Sequence, residues 1–486
     1  MLQFLKKQKG EASILPALQF RNTLSGELEV FFSLSVRGVK MYNCGPTVYD
    51  RQHIGNLRGP LLANLLRRTL DVWGFSVRHV SNITDVGHLT GDNLGDADTG
   101  VDRMEASAKK QKRSAKDIAK EYTELFWEDL DALGIEREKI IFTPATEYIG
   151  EQIALVETLE QKGYAYRITD GVYFDTSCFS SYGKLGGIHL HGPAEARVEK
   201  NKEKRNPHDF ALWKLSKPRE KRQQEWNSPW GKGFPGWHVE CTAMIFTVLG
   251  RQIDIHIGGI DLIPIHHNNE IAQAEAATGK QFVRYWLHNE FITIEGKKVS
   301  KSLGNTIYLS QLVDRGLSPL ALRYWYLTAH YRTPMNFTWE AVEGADQALT
   351  RLTRAYLELD PQKATADKAF LKDFYDAVAN DLDTPKALAR VWELVKDATV
   401  PSAAKRASLA WADKILGLGF SEARPTAKLS VIPQSELPEE VQKLALEREK
   451  ARSAKDFEQA DTLRKNIEAL GFSIKDTPEG PKISKS

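Results

Sequence analysis

The sequence predicts an α/β protein: a parallel-sheet domain carrying an inserted subdomain, then an all-α helical bundle, then a small C-terminal helical segment. Three observations carry this expectation. Between residues 39 and 133, short apolar runs of strand character alternate with longer stretches of helical spacing, the order of a parallel sheet with right-handed crossovers. From about 135 to 225 that alternation gives way to a hairpin signal and a run of Lys and Arg. From about 339 to 416 strand patterns vanish, and apolar residues recur with the period of a helix.

Length and composition bound the answer. A chain of 486 residues exceeds one core and divides into two to four domains. Its net charge of +2 supplies little long-range field, so a nucleic-acid partner has to be met by local basic patches. No apolar run approaches the roughly 20 residues of a membrane span, and the first 19 residues lack a signal-peptide pattern; a cytoplasmic protein that meets no membrane is expected. Three cysteines, at 44, 178 and 241, are too few and too scattered for a disulfide framework. Cys178, in the polar loop TSCFSS, reads as structural.

Taken in order, residues 1–19, with Lys6, Lys7 and Lys9, read as a mobile extension. Residues 20–33 read as a hairpin turning at Ser25 and Gly26. Val39, Met41 and Tyr42 mark a strand that Gly45 and Pro46 end; from Asn56 to Trp73, Leu57, Leu61, Leu62, Leu65 and Leu66 mark a helix. Cys44 and His53 thereby fall at the carboxyl edge of the sheet, where ligands bind and helix N-termini offer N–H groups to phosphates. A second strand spans residues 77–87, and a single long helical pattern spans 102–133. The string CGPTVYDRQHIGN, residues 44–56, resembles the signature of class I aminoacyl-tRNA synthetases, and among them the cysteinyl-tRNA synthetase family. The family's HIGH motif ends here in Asn56 instead of histidine. The resemblance implies a Rossmann-like catalytic domain over 20–338, ATP bound by His53, Gly55 and Asn56, and catalytic parts for His53 and Asn56.

The insertion, about 135–225, contains a helix from Glu147 to Lys162 and the string YAYRITDGVYFDT, whose Asp170-Gly171 pair spells a hairpin turn. The basic stretch 197–222 reads as a solvated face or as an RNA contact. Beyond it, Cys241 follows the Gly-Phe-Pro-Gly entry of a helix, and His266 and Glu270 are four apart on one helix face. Alone, such a pair reads as a solvated face. Joined to Cys44 and Cys241 it makes an S, S, N, O donor set suited to zinc, and all four positions match the family's zinc ligands. The flanks depart from the family: Pro264-Ile265-His266-His267 stands where the family usually has a phenylalanine before Pro-His-His, Asn268 stands where glutamate is usual, and Phe234 replaces an arginine. By resemblance, one Zn2+ per chain reads the substrate thiol at Cys44, and Trp237 closes the amino-acid pocket. His267 would then support the ligands or fill the core.

The string GKKVSKSLGN, residues 296–305, follows the strand-like FITI and resembles the family's KMSKS loop with Val299 for methionine. Lys298 and Lys301 would stabilise the leaving pyrophosphate, and Lys301 would also bind ATP. An almost identical KISKS ends the chain at 482–486; after DTPEGP it reads as a frayed tail without function. The resemblance makes 339–430 the anticodon-side helical bundle, although NDLDTPKALA departs from the family's acidic stretch there. Residues 431–486 become a small tRNA-binding region with a flexible tail. The implied reaction joins L-cysteine to tRNA(Cys) through cysteinyl-adenylate, with Mg2+ accompanying ATP and no obligate protein partner. Two other readings stand beside it: a cysteine ligase of the same fold that passes the adenylate to a small amine, and a non-catalytic zinc protein that binds nucleic acid. The first has no need of the helical C-terminal part; the second leaves HIGN and KVSKS without a purpose.

Overall fold

A computed structural model describes residues 15–36, 38–87, 89–90, 101–187, 202–217, 222–299, 304–422, 437–454, 456–470, 472–477 and 480–485. They fall into two compact units that divide between Ser421 and Glu422. Strands β1 (Gln19–Asn22) and β2 (Glu27–Val30) pair antiparallel around Gly26, whose φ of +74° suits glycine. The extension expected over 1–19 is therefore too long: Leu18 is buried, and the Trp73 indole donates to the Pro16 carbonyl at 2.8 Å. Strand β3 (Val39–Asn43), helix α1 (Ile54–Val72) and strand β4 (Val77–Ile83) form the expected parallel unit. The short strands β5 (Leu89–Thr90) and β6 (Val101–Asp102) form a ribbon.

The single helix expected from 102 to 133 is two, α2 (Arg103–Gln111) and α3 (Ala115–Ala132). Lys112 turns left-handed at φ 54°, and the Ser114 hydroxyl then caps α3 by accepting from the Asp117 N–H. Strand β7 (Ile140–Pro144) lies parallel beside β4, so it belongs to the main sheet and the insertion starts after it. The insertion comprises α4 (Ile149–Gln161) and an antiparallel sheet of β8 (Ala165–Ile168), β9 (Gly171–Phe174), β10 (Phe210–Leu215), β11 (Trp226–Ser228) and β12 (Gly231–Pro235), in spatial order β11-β12-β10-β9-β8. It therefore ends at Pro235, beyond the boundary near 225 that composition indicates. Val156, Leu159, Phe174, Phe210 and Trp213 fill its own core. Of the basic stretch 197–222, residues 197–201 and 218–221 lie outside the described residues. Two described cations of the insertion are buried: Arg222 pairs with Asp102, and Lys214 pairs with Asp170.

After the insertion come α5 (Trp237–Val248), β13 (Ile253–Gly259), a single π-helical turn over Ile263–His267, α6 (Asn268–Thr278) and β14 (Val283–Asn289). The central sheet is parallel throughout, in the order β14-β13-β3-β4-β7. Chain order reverses between β3 and β13, and the carboxyl ends at that point make the crevice in which α/β proteins bind ligands. Strands β15 (Ile292–Ile294) and β16 (Lys297–Lys298) leave the end of β14. Helices α7 (Leu309–Asp314) and α8 (Pro319–Leu327) follow, and β17 (Met335–Phe337) completes a small sheet β16-β15-β17. Helices α9 (Trp339–Glu358), α10 (Lys368–Ala379), α11 (Thr384–Lys396) and α12 (Ser402–Leu416) form the bundle. Its buried residues, among them Leu352, Phe374 and Leu409, are continuous with Leu62 and Leu66 of α1, so bundle and sheet share one core.

The second unit holds α13 (Glu439–Ser453), α14 (Phe457–Ala469), β18 (Phe472–Thr477) and β19 (Gly480–Lys485). The expected frayed tail is a correction: residues 482–485 lie in strand β19, and Ile483 lies opposite Ile474 with both buried. The C-terminal segment is thus helical only in part. Cys178, expected to be structural, is exposed. No helix among the described residues is long and apolar enough to cross a membrane.

Candidate active site and metal cluster

The loop after β3 is fixed by backbone. Cys44 N–H donates to the Ile257 carbonyl at 3.1 Å, and Gly45 N–H donates to the Asn82 side-chain oxygen at 2.7 Å. A Cβ at Gly45 would stand 1.7 Å from the Asn82 carbonyl oxygen, so only glycine lets this loop lie against β4. Cys44 is thereby aimed into the crevice between β3 and β13. Cys241 comes from α5, and His266 and Glu270 come from the π turn and the first turn of α6. One donor atom from each of the four lies within 4.8 Å of the others, against the about 3 to 4 Å separating ligands around a bound tetrahedral zinc. The structure thus brings all four expected ligands together, and Cys178 is not among them.

The cluster is larger than the sequence indicates. His266 Nε2 lies 2.7 Å from one Glu270 oxygen, and His256 Nε2 lies 2.8 Å from the other. His267 Nε2 sits 3.4 Å from Cys44 Sγ, its Nδ1 is 2.8 Å from His288 Nε2, and His288 Nδ1 reaches Thr23 Oγ1 at 2.7 Å. Cys44, His256, His267 and Glu270 make a second donor set that shares two members with the first. His256 and His288 sit on buried strands and escape sequence reasoning, while His267 is packed against Cys44 as a supporting residue. The available signal is density: five of the twelve histidines fall between 238 and 288, too many to be independent core residues.

Charge follows geometry. Burial opposes ionisation of Glu270, but His256 and His266 hold its carboxyl down at about 2. Burial would lower His266, but Glu270 and Cys241 hold it up at about 10. A hydrogen bond from the Cys44 thiol brings Cys241 down to about 6 despite burial. Glu270 and Cys241 thus take anion character beside a cationic His266 in a dry site, whereas the hydrogen bond to Cys241 and burial push the Cys44 thiol up. Trp237, half-buried at the start of α5, lays its ring 4.8 Å from that of His266.

The residues expected to meet ATP lie along the same edge. His53 is the N-cap residue of α1, in extended conformation. A Cβ on Gly55 would come within 2.9 Å of the His53 ring, which explains glycine there: the imidazole folds over the first turn. Asn56 is exposed. Lys298 ends β16, whereas Lys301 lies outside the described residues.

Comparison with known proteins agrees with this arrangement. Residues 30–347 match the family described as tRNA synthetases class I (C) catalytic domain, and residues 434–481 match the cysteinyl-tRNA ligase anticodon binding domain. Cysteine–tRNA ligase 1 of Burkholderia lata is 46% identical over 96% of this chain and 96% of its own length. Cysteine–tRNA ligase of Thermus thermophilus is 42% identical over 93% of this chain and 96% of its own. Among solved structures, Mycobacterium tuberculosis methionyl-tRNA synthetase bound by methionyl-adenylate shares the fold, with a TM-score of 0.53 at 14% identity over 84% of this chain and 94% of that one.

Proposed function

Because the chain belongs to the cysteine–tRNA ligase family, and so charges tRNA with cysteine at the expense of ATP, we propose that Cys44, Cys241, His266 and Glu270 hold one zinc ion that reads the substrate side chain. The observation that carries this is the convergence of two sulfurs, an imidazole and a carboxylate at the point where strand order reverses. Zinc there would bind a thiolate far better than a hydroxyl, giving a choice of cysteine over serine that an apolar pocket makes only by about a hundredfold. Cys44 and Trp237 line the pocket for the amino acid, and the ring of Trp237 on His266 shields it from water.

His53, Gly55 and Asn56 present the start of α1 to the ATP phosphates, where N–H groups and the helix dipole favour negative charge. Cysteine's carboxylate oxygen attacks the α-phosphorus, and the bond to pyrophosphate breaks. Lys298 and Lys301 offset the charge that develops on the leaving group, with Mg2+ travelling on ATP. The terminal ribose hydroxyl of tRNA then attacks the carbonyl carbon, and AMP departs. Catalysis is mostly positioning and electrostatics. The same reading makes tRNA(Cys) the cognate RNA, assigns residues 339–430 and 431–486 to its anticodon side, requires no obligate protein partner and places the work in the cytoplasm.

ATP–pyrophosphate exchange tests this activity. The full-length protein should exchange label when given cysteine and not when given serine, without any need for tRNA. Exchange that ignored the amino acid, or that serine supported equally, would remove the metal-reading account.

A further inference from the structure

Arg58 lies one turn into α1 and is almost wholly buried, at 3% exposure. Its guanidinium donates to four backbone carbonyls: Nη1 to Glu290 at 2.8 Å and Phe291 at 3.1 Å, Nη2 to His330 at 3.2 Å and Thr333 at 2.8 Å. A buried charge held by peptide dipoles is costly unless the geometry is well defined. Here the geometry joins three segments.

Glu290 and Phe291 are the only two residues between β14 and β15, and β15 runs through a hairpin into β16, which ends at Lys298. On the far side of the lysine motif, the Ile307 carbonyl accepts from the Ile54 N–H at 2.9 Å. Tyr326 donates its hydroxyl proton to the Ile54 carbonyl. The chain entering the lysine motif and the chain leaving it are therefore both hydrogen-bonded to the first turns of α1, the helix that begins at His53. The third segment, residues 330–333, is itself immobilised by Asp381: Tyr331 donates to its carboxylate at 2.7 Å and Arg332 at 2.8 Å.

We propose that Arg58, assisted by Tyr326, is a positioning residue for cysteine activation, clamping the β14–β15 turn and the 330–333 segment onto α1 and so setting the spacing between the His53 helix start and the Lys298 hairpin. This rests on the reading of His53 and Lys298 as triphosphate contacts. Arg58 and Tyr326 are both buried, and each acts through backbone carbonyls. A misplacement of about 1 Å between groups gripping one transition state costs on the order of a hundredfold in rate, so a small shift of the hairpin would be felt. Lysine at 58 keeps the charge but loses the planar fork, and its three donors on one nitrogen cannot reproduce the four bonds that the two guanidinium nitrogens make.

The test compares full-length wild type, Arg58→Lys and Tyr326→Phe. Cysteine-dependent exchange would be followed with both KM values, bound zinc and the thermal midpoint. Arg58→Lys should lower kcat about tenfold to a hundredfold, with the cysteine KM and zinc content unchanged. Tyr326→Phe should act in the same direction by about threefold, and it decides the matter should Arg58→Lys fail to fold. Wild-type kcat in either folded variant would overturn the proposal. So would parallel loss of kcat, cysteine affinity and zinc, which general destabilisation produces. Absence of cysteine-dependent exchange in the wild type would sink the activity reading together with this inference, whereas normal wild type with unaffected variants sinks the inference alone.

Discussion

KVSKS at 298–302 and KISKS at 482–486 differ by one residue and stand in different settings. The first leaves a hairpin in which Thr293 faces Lys298; β15 of that hairpin pairs in parallel with β17 and emerges from the carboxyl edge of the central sheet. The second is the outer strand of the terminal hairpin, with Ile483 buried beside Phe472, Ile474, Val441 and Ile467. In the second string, isoleucine serves a hydrophobic core and the lysines flank it in a ladder. In the first, the chain on either side is tied to the helix that begins at His53. Nearly the same five-residue basic string is thus set in two different backbone surroundings.

Exchanging single lysines strains this comparison most. Lys301→Ala should slow adenylate formation by on the order of a hundredfold or more, the scale of one lost charge-stabilising donor, with a smaller effect on cysteine binding. Lys485→Ala should leave exchange rates at wild type. Equal losses in the two variants would erase the distinction. A second comparison removes residues 422–486, the whole second unit. Exchange should persist, whereas the KM for tRNA in charging should rise about tenfold, since residues 434–481 match an anticodon binding domain. Loss of exchange in a folded truncation would show that the terminal unit takes part in activation.

The smallest effect concerns the footing of the first region on α1. Glu136 accepts from Asn64 at 3.0 Å and pairs with Arg67 at 2.7 Å and Arg68 at 2.9 Å. Burial would raise its pKa, but Arg68, Asn64 and Arg67 together hold it at about 2, below the ordinary 4.5. A carboxyl depressed on folding stabilises the protein above its unfolded pKa, and that contribution fades as pH falls from 4.5 towards 2. Urea unfolding of Glu136→Gln should therefore show a deficit against wild type at pH 7 that shrinks at pH 3. A deficit independent of pH would mean that the charge is not what matters there.

Much of this is legible in sequence for a physical reason. Cys44 and His53 flank a Gly-Pro break between a strand and a helix, and that local grammar fixes which end of the sheet they occupy. The spacing of His266 and Glu270 puts them on one helix face, and Cys44 and Cys241 with the family resemblance make that pair a ligand set. His256 and His288 do not, because they sit inside IDIHIGG and VRYWLHN, and only the parallel pairing of β13 with β14 brings both strands to the cluster. The break at Lys112 is hidden because KKQKRS contains neither glycine nor proline. Strand β12 reads in sequence as a helix entry, since its glycines mask a ladder in which Gly233 must pack against the Lys214 carbonyl. The terminal strand passes for a tail, although Ile474 and Ile483 stand four residues either side of Pro478-Glu479, a hairpin signal that the lysine string obscures.

The account turns on whether the metal cluster reads the thiol, and Cys241→Ser tests that most directly. Bound zinc and exchange with cysteine and with serine would be measured on one preparation of the variant and one of the wild type. The account predicts that zinc content and cysteine activation fall together, and that whatever exchange remains discriminates less between cysteine and serine. A variant without zinc that still activated cysteine at the wild-type rate and still rejected serine would contradict it.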